Sequence, residues 1–135
     1  MKIYFAGSIT GGREDYQIYI EIIEILGKFG SVSTEHIGDE NLLDTGESLN
    51  VEEIFRRDIR WLEESDVIVA EVTTISMGVG YELGISEKLG KKVICLYRPD
   101  PLKRISAMIL GNTNFSIYPY QNVEEIVPIL EKELS

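Results

Sequence analysis

The feature of this sequence that most constrains its fold is the uninterrupted apolar run Val67-Ile68-Val69-Ala70. A strand with one face in water alternates apolar and polar residues, whereas a parallel strand covered on both faces is apolar throughout. Further β-prone runs occupy residues 3–6, 93–97 and 115–118, and a weaker one occupies residues 31–36. The sequence therefore predicts a sheet whose strands are buried on both sides.

Segments of helical periodicity separate these runs. Apolar residues recur at the spacing of an amphipathic helix in residues 16–26, 50–65, 79–89 and 123–134. A shorter helix is expected around residues 104–110, and Pro128 predicts a kink or a late start in the last long helix. This alternation indicates an α/β fold, and we expect a Rossmann-like (flavodoxin-like) three-layer sandwich with about five parallel strands and helices on both faces.

Length and composition exclude several classes of protein. A chain of 135 residues suits a single domain, and we expect residues 1–135 to form one. The net charge of −10 argues against binding a nucleic acid polymer. No apolar run is long enough to span a bilayer, and Met1 leads straight into a strand, so we expect a cytoplasmic protein without a membrane partner. A single cysteine and a single histidine predict no metal site.

Two loops are candidates for binding an anion, because ligands of parallel α/β sheets bind beyond the carboxyl ends of the strands. The stretch Ser76-Met77-Gly78-Val79-Gly80-Tyr81-Glu82-Leu83-Gly84 turns from a buried strand into a helix, which places backbone N–H groups where a phosphate can bind. The stretch Gly7-Ser8-Ile9-Thr10-Gly11-Gly12 is weaker, since it matches neither the dinucleotide pattern nor the P-loop. On spacing alone, a plain strand-to-helix turn is the favoured interpretation there.

Two carboxylates, Asp58 and Glu82, occupy positions that helical spacing assigns to the core. Burying a carboxylate is costly unless it is paired. One interpretation is structural, with Arg56, Arg57 or Arg60 as the partner of Asp58. The other is catalytic: both residues lie on elements that flank one strand end, so we expect them to face one cleft. There one carboxylate would stay ionised as a nucleophile while the other assists the leaving group of a glycosidic bond.

Segments across the chain occur in the same order in one protein family: residues 4–9, 11–15, 34–36, 66–73, 78–84 and 106–109. In these segments the chain resembles the 2′-deoxynucleoside 5′-phosphate N-hydrolases, within the nucleoside 2-deoxyribosyltransferase family. The resemblance covers nearly the whole chain except the loop at residues 38–50 and the C-terminal helix. It implies a homodimer that hydrolyses deoxynucleoside monophosphates to a free base and 2-deoxyribose 5-phosphate, without a cofactor.

The resemblance also implies roles for individual residues. Glu82 would be the nucleophile at C1′, Tyr4 would orient it, and Asp58 is the candidate general acid. Phosphate contacts map onto Ser8, Ser76 and Gly78, and onto Ser106 from the partner subunit. Further substrate contacts map onto Gly7, Ile9, Thr10, Gly11, Arg13, His36 and Met108. Thr10 is a departure, because the relatives carry an arginine there that contributes to the phosphate environment.

Three functions remain open at the level of sequence. The first is the hydrolase just described, which the serine-rich phosphate contacts and Ser106 favour. The second is a deoxyribosyltransferase that exchanges bases on unphosphorylated deoxynucleosides. The third is a nucleotide-binding module of the same fold without catalytic activity. Transfer to a second base would indicate the transferase, and retained ligand binding with lost base release in Glu82→Ala would exclude the binding module.

Overall fold

The computed structural model describes residues 1–8, 13–33 and 50–135, with only the backbone of residues 13 and 14. In this part of the chain, one parallel five-stranded sheet has the strand order β2-β1-β3-β4-β5. The strands are β1 (Lys2–Ala6), β2 (Ser31–Ser33), β3 (Val67–Glu71), β4 (Lys92–Tyr97) and β5 (Ser116–Pro119). The predicted parallel sheet is confirmed.

Helices follow the strands along the chain. They are α1 (Arg13–Leu26), α2 (Val51–Glu64), α3 (Met77–Lys88), α4 (Ala107–Leu110) and α5 (Ile126–Leu134). Because α5 begins only at Ile126, after a 3₁₀ turn, Pro128 lies in its first turn, where the missing N–H costs no helical hydrogen bond. The late start is therefore the correct alternative. Helix α4 begins three residues later than the spacing predicted, with Ser106 as its N-cap.

The pleat of the strands divides the apolar core into two layers. Successive side chains point to opposite faces of the sheet, so Ile3 and Phe5 share one face and Tyr4 and Ala6 share the other. The first face packs against α1 and α5, and the second against α2 and α3. Helices therefore cover both faces, as the apolar runs predicted. Cys95 is buried in the second layer, where burial raises its pKa to about 12, as expected of a core thiol.

Helix α2 begins where the sequence predicted, because Asn50 caps it: the Asn50 side chain accepts a hydrogen bond of 2.9 Å from the Glu53 N–H. The strand predicted at residues 31–36 is described as far as Ser33. Residues 34–36 and most of the predicted loop at residues 38–50 lie outside the described residues. Within the described ranges, none of the helices has the length and apolar character that crossing a membrane requires.

Gly7 permits a close contact between the end of β1 and helix α1. A Cβ atom at Gly7 would lie 2.9 Å from the ring of Tyr19, closer than side-chain carbons normally approach. The Tyr19 ring is buried, and its hydroxyl accepts a hydrogen bond of 3.0 Å from the Ser8 N–H. The chain that leaves β1 is therefore packed against α1 so closely that a side chain at position 7 would require the Tyr19 ring or the backbone to shift.

We predict that Gly7→Ala lowers the free energy of unfolding by about 1–3 kcal/mol, because the added methyl group overpacks a buried ring. Chemical denaturation measures the change. Gly27→Ala is the matched control, since a Cβ there meets its nearest atom at an ordinary 3.4 Å. Equal stabilities of the two variants would mean that the Tyr19 ring moves aside freely.

Candidate active site

A cleft of about 390 Å³ opens beside the carboxyl ends of β1 and β3, between helices α2 and α3. Gly7 follows β1, Ser76 follows β3, and both line the cleft. Asp58 enters it from α2, and Glu82 enters it from α3. The structure thus brings together both carboxylates and parts of both candidate anion-binding loops.

Glu82 is held by the hydroxyl of Tyr4, which donates a hydrogen bond to its Oε2 atom. Tyr4 is buried in β1, and the pleat directs it to the face covered by α3. Burial raises the pKa of Glu82 and the charge of Asp58 adds to this, while the Tyr4 bond opposes it, so that the pKa is about 7. Burial and the neighbouring carboxylate raise the pKa of Tyr4 far above its usual value, so the phenol remains a donor.

Asp58 has an arginine partner on its own helix. The Nε of Arg57 donates to its Oδ1 at 3.0 Å, and the Arg57 guanidinium lies 4.7 Å from the centre of the Trp61 ring. Arg56 instead pairs with Glu52 at 3.4 Å. The structural interpretation of Asp58 is therefore correct for Arg57. It does not displace the catalytic one, since Asp58 also lines the cleft with Glu82.

The N-terminus of α3 is arranged as an anion-binding turn would be. Ser76 is its N-cap and accepts a hydrogen bond of 3.2 Å from the Val79 N–H. Gly78 lies in the first turn and lines the cleft. Ser8 follows Gly7 at the end of β1 and is buried, and it is not among the described residues that line the cleft. Backbone donors at a helix N-terminus favour a negatively charged group, so this end of the cleft suits a phosphate.

Ser106 and Met108 lie away from this cleft. They line a second cavity of about 340 Å³, which we call the α3–α4 cavity. Ser106 accepts a hydrogen bond from the Met108 N–H at 3.2 Å, and the Met108 side chain is 83% exposed. Ser76 lines both the cleft and the α3–α4 cavity. Within one chain, the predicted contacts at residues 106 and 108 are therefore separate from the carboxylate pair.

Several predicted contacts cannot be located in the structure. Only the backbone of Arg13 is described, at the start of α1. Four others lie outside the described residues: Ile9, Thr10, Gly11 and His36.

Two aromatic residues at the mouth of the cleft escaped the sequence analysis. The rings of Phe55 and Tyr81 are 6.3 Å apart and tilted by 48°. Helical spacing predicts that Phe55 is buried, but 52% of it is exposed because it faces the cleft. A largely apolar wall that contains two aromatic rings suits an aromatic ligand such as a nucleobase. The sequence did contain one signal for this wall, because Tyr81 stands directly before Glu82 in the motif.

The chemistry of the cleft depends on its carboxylates. Among the residues that the structure describes, no three His, Cys, Asp or Glu side chains cluster as metal ligands would. The cleft combines a partly buried carboxylate oriented by a phenol, a second carboxylate, a helix N-terminus and an apolar wall. Such a set can attack, protonate and bind an anionic glycoside.

Comparison with known protein sequences agrees with this geometry. The sequence model of the family described as Nucleoside 2-deoxyribosyltransferase matches residues 3–108. A 5-hydroxymethyl-dUMP N-hydrolase from Tetraodon nigroviridis is 47% identical over 135 residues, which cover 97% of this chain and 95% of the relative. The proteins of the same name from Danio rerio and Homo sapiens are 46% and 42% identical, over 98% and 90% of this chain and 94% and 73% of their own lengths.

Solved structures share the fold at lower sequence identity. The Clostridium botulinum CMP N-glycosidase BcmB superposes with a TM-score of 0.69 at 18% identity, covering 97% of this chain and 99% of its own. A 2-deoxyribosyltransferase from Bacillus psychrosaccharolyticus gives a TM-score of 0.66 at 22% identity, covering 94% and 90%. The sequence matches confirm the relationship that the motifs predicted. This chain belongs to the nucleoside 2-deoxyribosyltransferase family.

Proposed function

We propose that the protein hydrolyses the N-glycosidic bond of 2′-deoxynucleoside 5′-monophosphates, releasing a free base and 2-deoxyribose 5-phosphate. The observation that carries the proposal is the partly buried Glu82 carboxylate, which Tyr4 orients in a cleft shared with Asp58. Relatives named 5-hydroxymethyl-dUMP N-hydrolase support it, because that nucleotide belongs to the proposed substrate class.

Two displacements at C1′ would complete the reaction. An oxygen of Glu82 attacks C1′ and forms a glutamyl–deoxyribosyl ester while the bond to the base breaks, and Asp58 gives its proton to the departing base. A water molecule then attacks C1′ of the ester and loses a proton to Asp58. Glu82 leaves as a carboxylate, and both side chains return to their starting states.

Tyr4 would assist the first displacement by orienting the Glu82 carboxylate. Its hydroxyl occupies the Oε2 atom of Glu82, so the Oε1 atom is the one available to the sugar. The same hydrogen bond favours the ionised carboxylate, which is the nucleophilic form. The Arg57 guanidinium beside Asp58 can stabilise that side chain after it has lost its proton to the base.

The substrate would lie along the cleft from α3 to α2. We infer that its phosphate binds at the N-terminus of α3, near Ser76 and Gly78, with Gly7 lining the same cleft at the end of β1. The base would rest against the wall that Phe55 and Tyr81 form at the mouth. This orientation places C1′ between the two ends, within reach of Glu82.

We also infer that the α3–α4 cavity is covered by a second copy of this chain. Two of the large apolar residues that line it are exposed: Ile75 at 86% and Met108 at 83%. Exposed apolar clusters of this kind are typical of interfaces between proteins. Since Ser76 lines both cavities, a partner seated there would bring its Ser106 beside the phosphate end of the cleft.

The substrate class is tested by measuring base release from matched compounds. We predict release from deoxynucleoside monophosphates, and release at least about 10²-fold slower from the deoxynucleosides without phosphate, which lose several charge-assisted hydrogen bonds. Glu82→Ala should reduce release by at least about 10³-fold with ligand binding retained. Glu64→Ala, which removes an exposed carboxylate of α2, is the control.

Two results would contradict this assignment. Formation of a new nucleotide when a second base is added would favour the transferase. Full activity of Glu82→Ala would show that another residue attacks the sugar.

The pH dependence separates the roles of the two carboxylates. A nucleophilic Glu82 must be ionised, and its pKa is about 7, so the ionisation of Glu82 should make kcat/KM rise as pH increases toward 7. Tyr4→Phe removes a hydrogen bond that lowers this pKa, and the rise should move to higher pH. A kcat/KM that instead falls through pH 7 would make Glu82 the acid and Asp58 the nucleophile.

Mixed dimers test whether Ser106 serves the partner's site. At substrate concentrations well below KM, Glu82→Ala should be nearly inactive and Ser106→Ala should keep about a tenth of wild-type activity, the effect of one lost phosphate contact. A heterodimer of the two would hold one site with both residues intact. Random mixing of equal amounts should therefore restore about one quarter of wild-type activity. No gain on mixing, with exchange of subunits verified by mass, would contradict a shared site.

A further inference from the structure

A buried polar network lies at the carboxyl edge of the sheet, behind the cleft. Its centre is Glu71, the last residue of β3, which is fully buried. The Glu71 carboxylate accepts hydrogen bonds from the N–H of Thr73 at 2.7 Å, from the Thr73 hydroxyl at 2.9 Å and from Arg98 Nε at 3.2 Å. The Tyr120 hydroxyl donates to it as well. The charge of Glu71 is thus compensated by an arginine and neutral donors.

Arg98 extends this network to helix α1. It follows the end of β4, and its Nη2 donates to Oδ1 of Asp15, a buried carboxylate in the first turns of α1. The backbone N–H of Arg98 donates to the Thr73 hydroxyl at 2.9 Å. The other carboxylate oxygen of Asp15 accepts a hydrogen bond from the Thr74 hydroxyl.

Thr73 and Thr74 make this network relevant to the cleft. They belong to the short turn between β3 and the Ser76 cap of α3, and both are tied to it by their hydroxyl groups. Arg98 does not line the cleft, and its Nε and Nη2 atoms are directed to Glu71 and Asp15. Arg98 therefore acts on this turn through other side chains.

Stability is a weak explanation for such a network. Removing two carboxylates and a guanidinium from water costs about as much as their attraction returns, and buried ion pairs are often replaced by apolar residues without loss. Hydrogen-bonded ion pairs do fix geometry, because each donor and acceptor has a preferred direction. A network that fixes the turn before Ser76 is suited to a site that must hold a phosphate in register.

We propose that Arg98 is a positioning residue, which through Glu71, Asp15 and Thr73 fixes the turn that presents Ser76 to the substrate phosphate. The inference rests on the proposed function and extends it to residues to which the sequence analysis gave no role. Loss of the network should let the turn move, which weakens phosphate binding. It should leave the Tyr4–Glu82 pair in place, because neither residue belongs to the network.

Steady-state kinetics of Arg98→Gln and Thr74→Val, with and without the 5′-phosphate on the substrate, test the proposal. Both variants should raise the KM for the deoxynucleoside monophosphate by about tenfold, the effect of one weakened phosphate contact. Both should keep kcat within about twofold and leave kcat/KM for the unphosphorylated deoxynucleoside unchanged. Thr74→Val nearly preserves shape and removes only one hydroxyl, so it remains informative if Arg98→Gln does not fold.

Lys92→Gln is the matched control. It removes an ion pair of 2.9 Å with Glu133 at the amino end of the same strand, far along β4 from Arg98. It should lower Tm without changing the preference for the phosphorylated substrate.

The possible failures are distinguishable. If the wild type is active and Arg98→Gln and Thr74→Val prefer the phosphorylated substrate as strongly as Lys92→Gln does, the positioning role is overturned. The proposed function would still stand. A wild type that releases no base would contradict the proposed function instead. The dissociation constant of inorganic phosphate would then decide the inference, with weaker binding expected in the two network variants and equal binding overturning it.

Discussion

The hydrogen bond from Tyr4 to Glu82 joins the sheet to helix α3, and the site takes its form from that connection. It depends on two periodicities at once. The pleat of β1 directs Tyr4 to the face that α3 covers, and the helical repeat of α3 turns Glu82 toward the same place. Both groups are largely removed from water, and a phenol or carboxylate in such surroundings is costly unless it has a hydrogen-bond partner. Each therefore supplies the partner that the other requires.

The two carboxylates of the cleft differ because their surroundings differ. Glu82 has lost water and faces another acid, so its pKa is raised, whereas Asp58 has the Arg57 guanidinium beside it. Sites that need one proton donor and one nucleophile hold two acids in different environments, and a raised pKa by itself favours the donor role. The nucleophilic role proposed for Glu82 rests instead on Tyr4, whose hydrogen bond orients this carboxylate and favours its ionised form. In this protein Arg57 on α2 and the partial burial of Glu82 on α3 make the two environments different.

The fold was predictable because its strands are apolar on both faces and its helices on one, which leaves strong periodic signals. Glu82 and Asp58 were found by the same signals, as charges at positions assigned to the core. Glu71 gave no such signal, because it ends the apolar run of β3, where a polar residue is expected at the start of a loop. Its partner Arg98 follows a different strand, β4, so the sequence does not show that the two are paired. Phe55 was assigned to the core because helical spacing cannot distinguish a residue under a neighbouring helix from one that faces an open cleft.

Ser76 belongs to both cavities, and this has a thermodynamic consequence. In the proposed dimer the same helix end meets the phosphate and the partner chain, so the free energies of ligand binding and subunit association are linked. Linkage is reciprocal: if association tightens the ligand by some factor, the ligand tightens association by the same factor. The population of complete sites then depends on protein concentration as well as on substrate. The cell could regulate such an enzyme through its abundance alone.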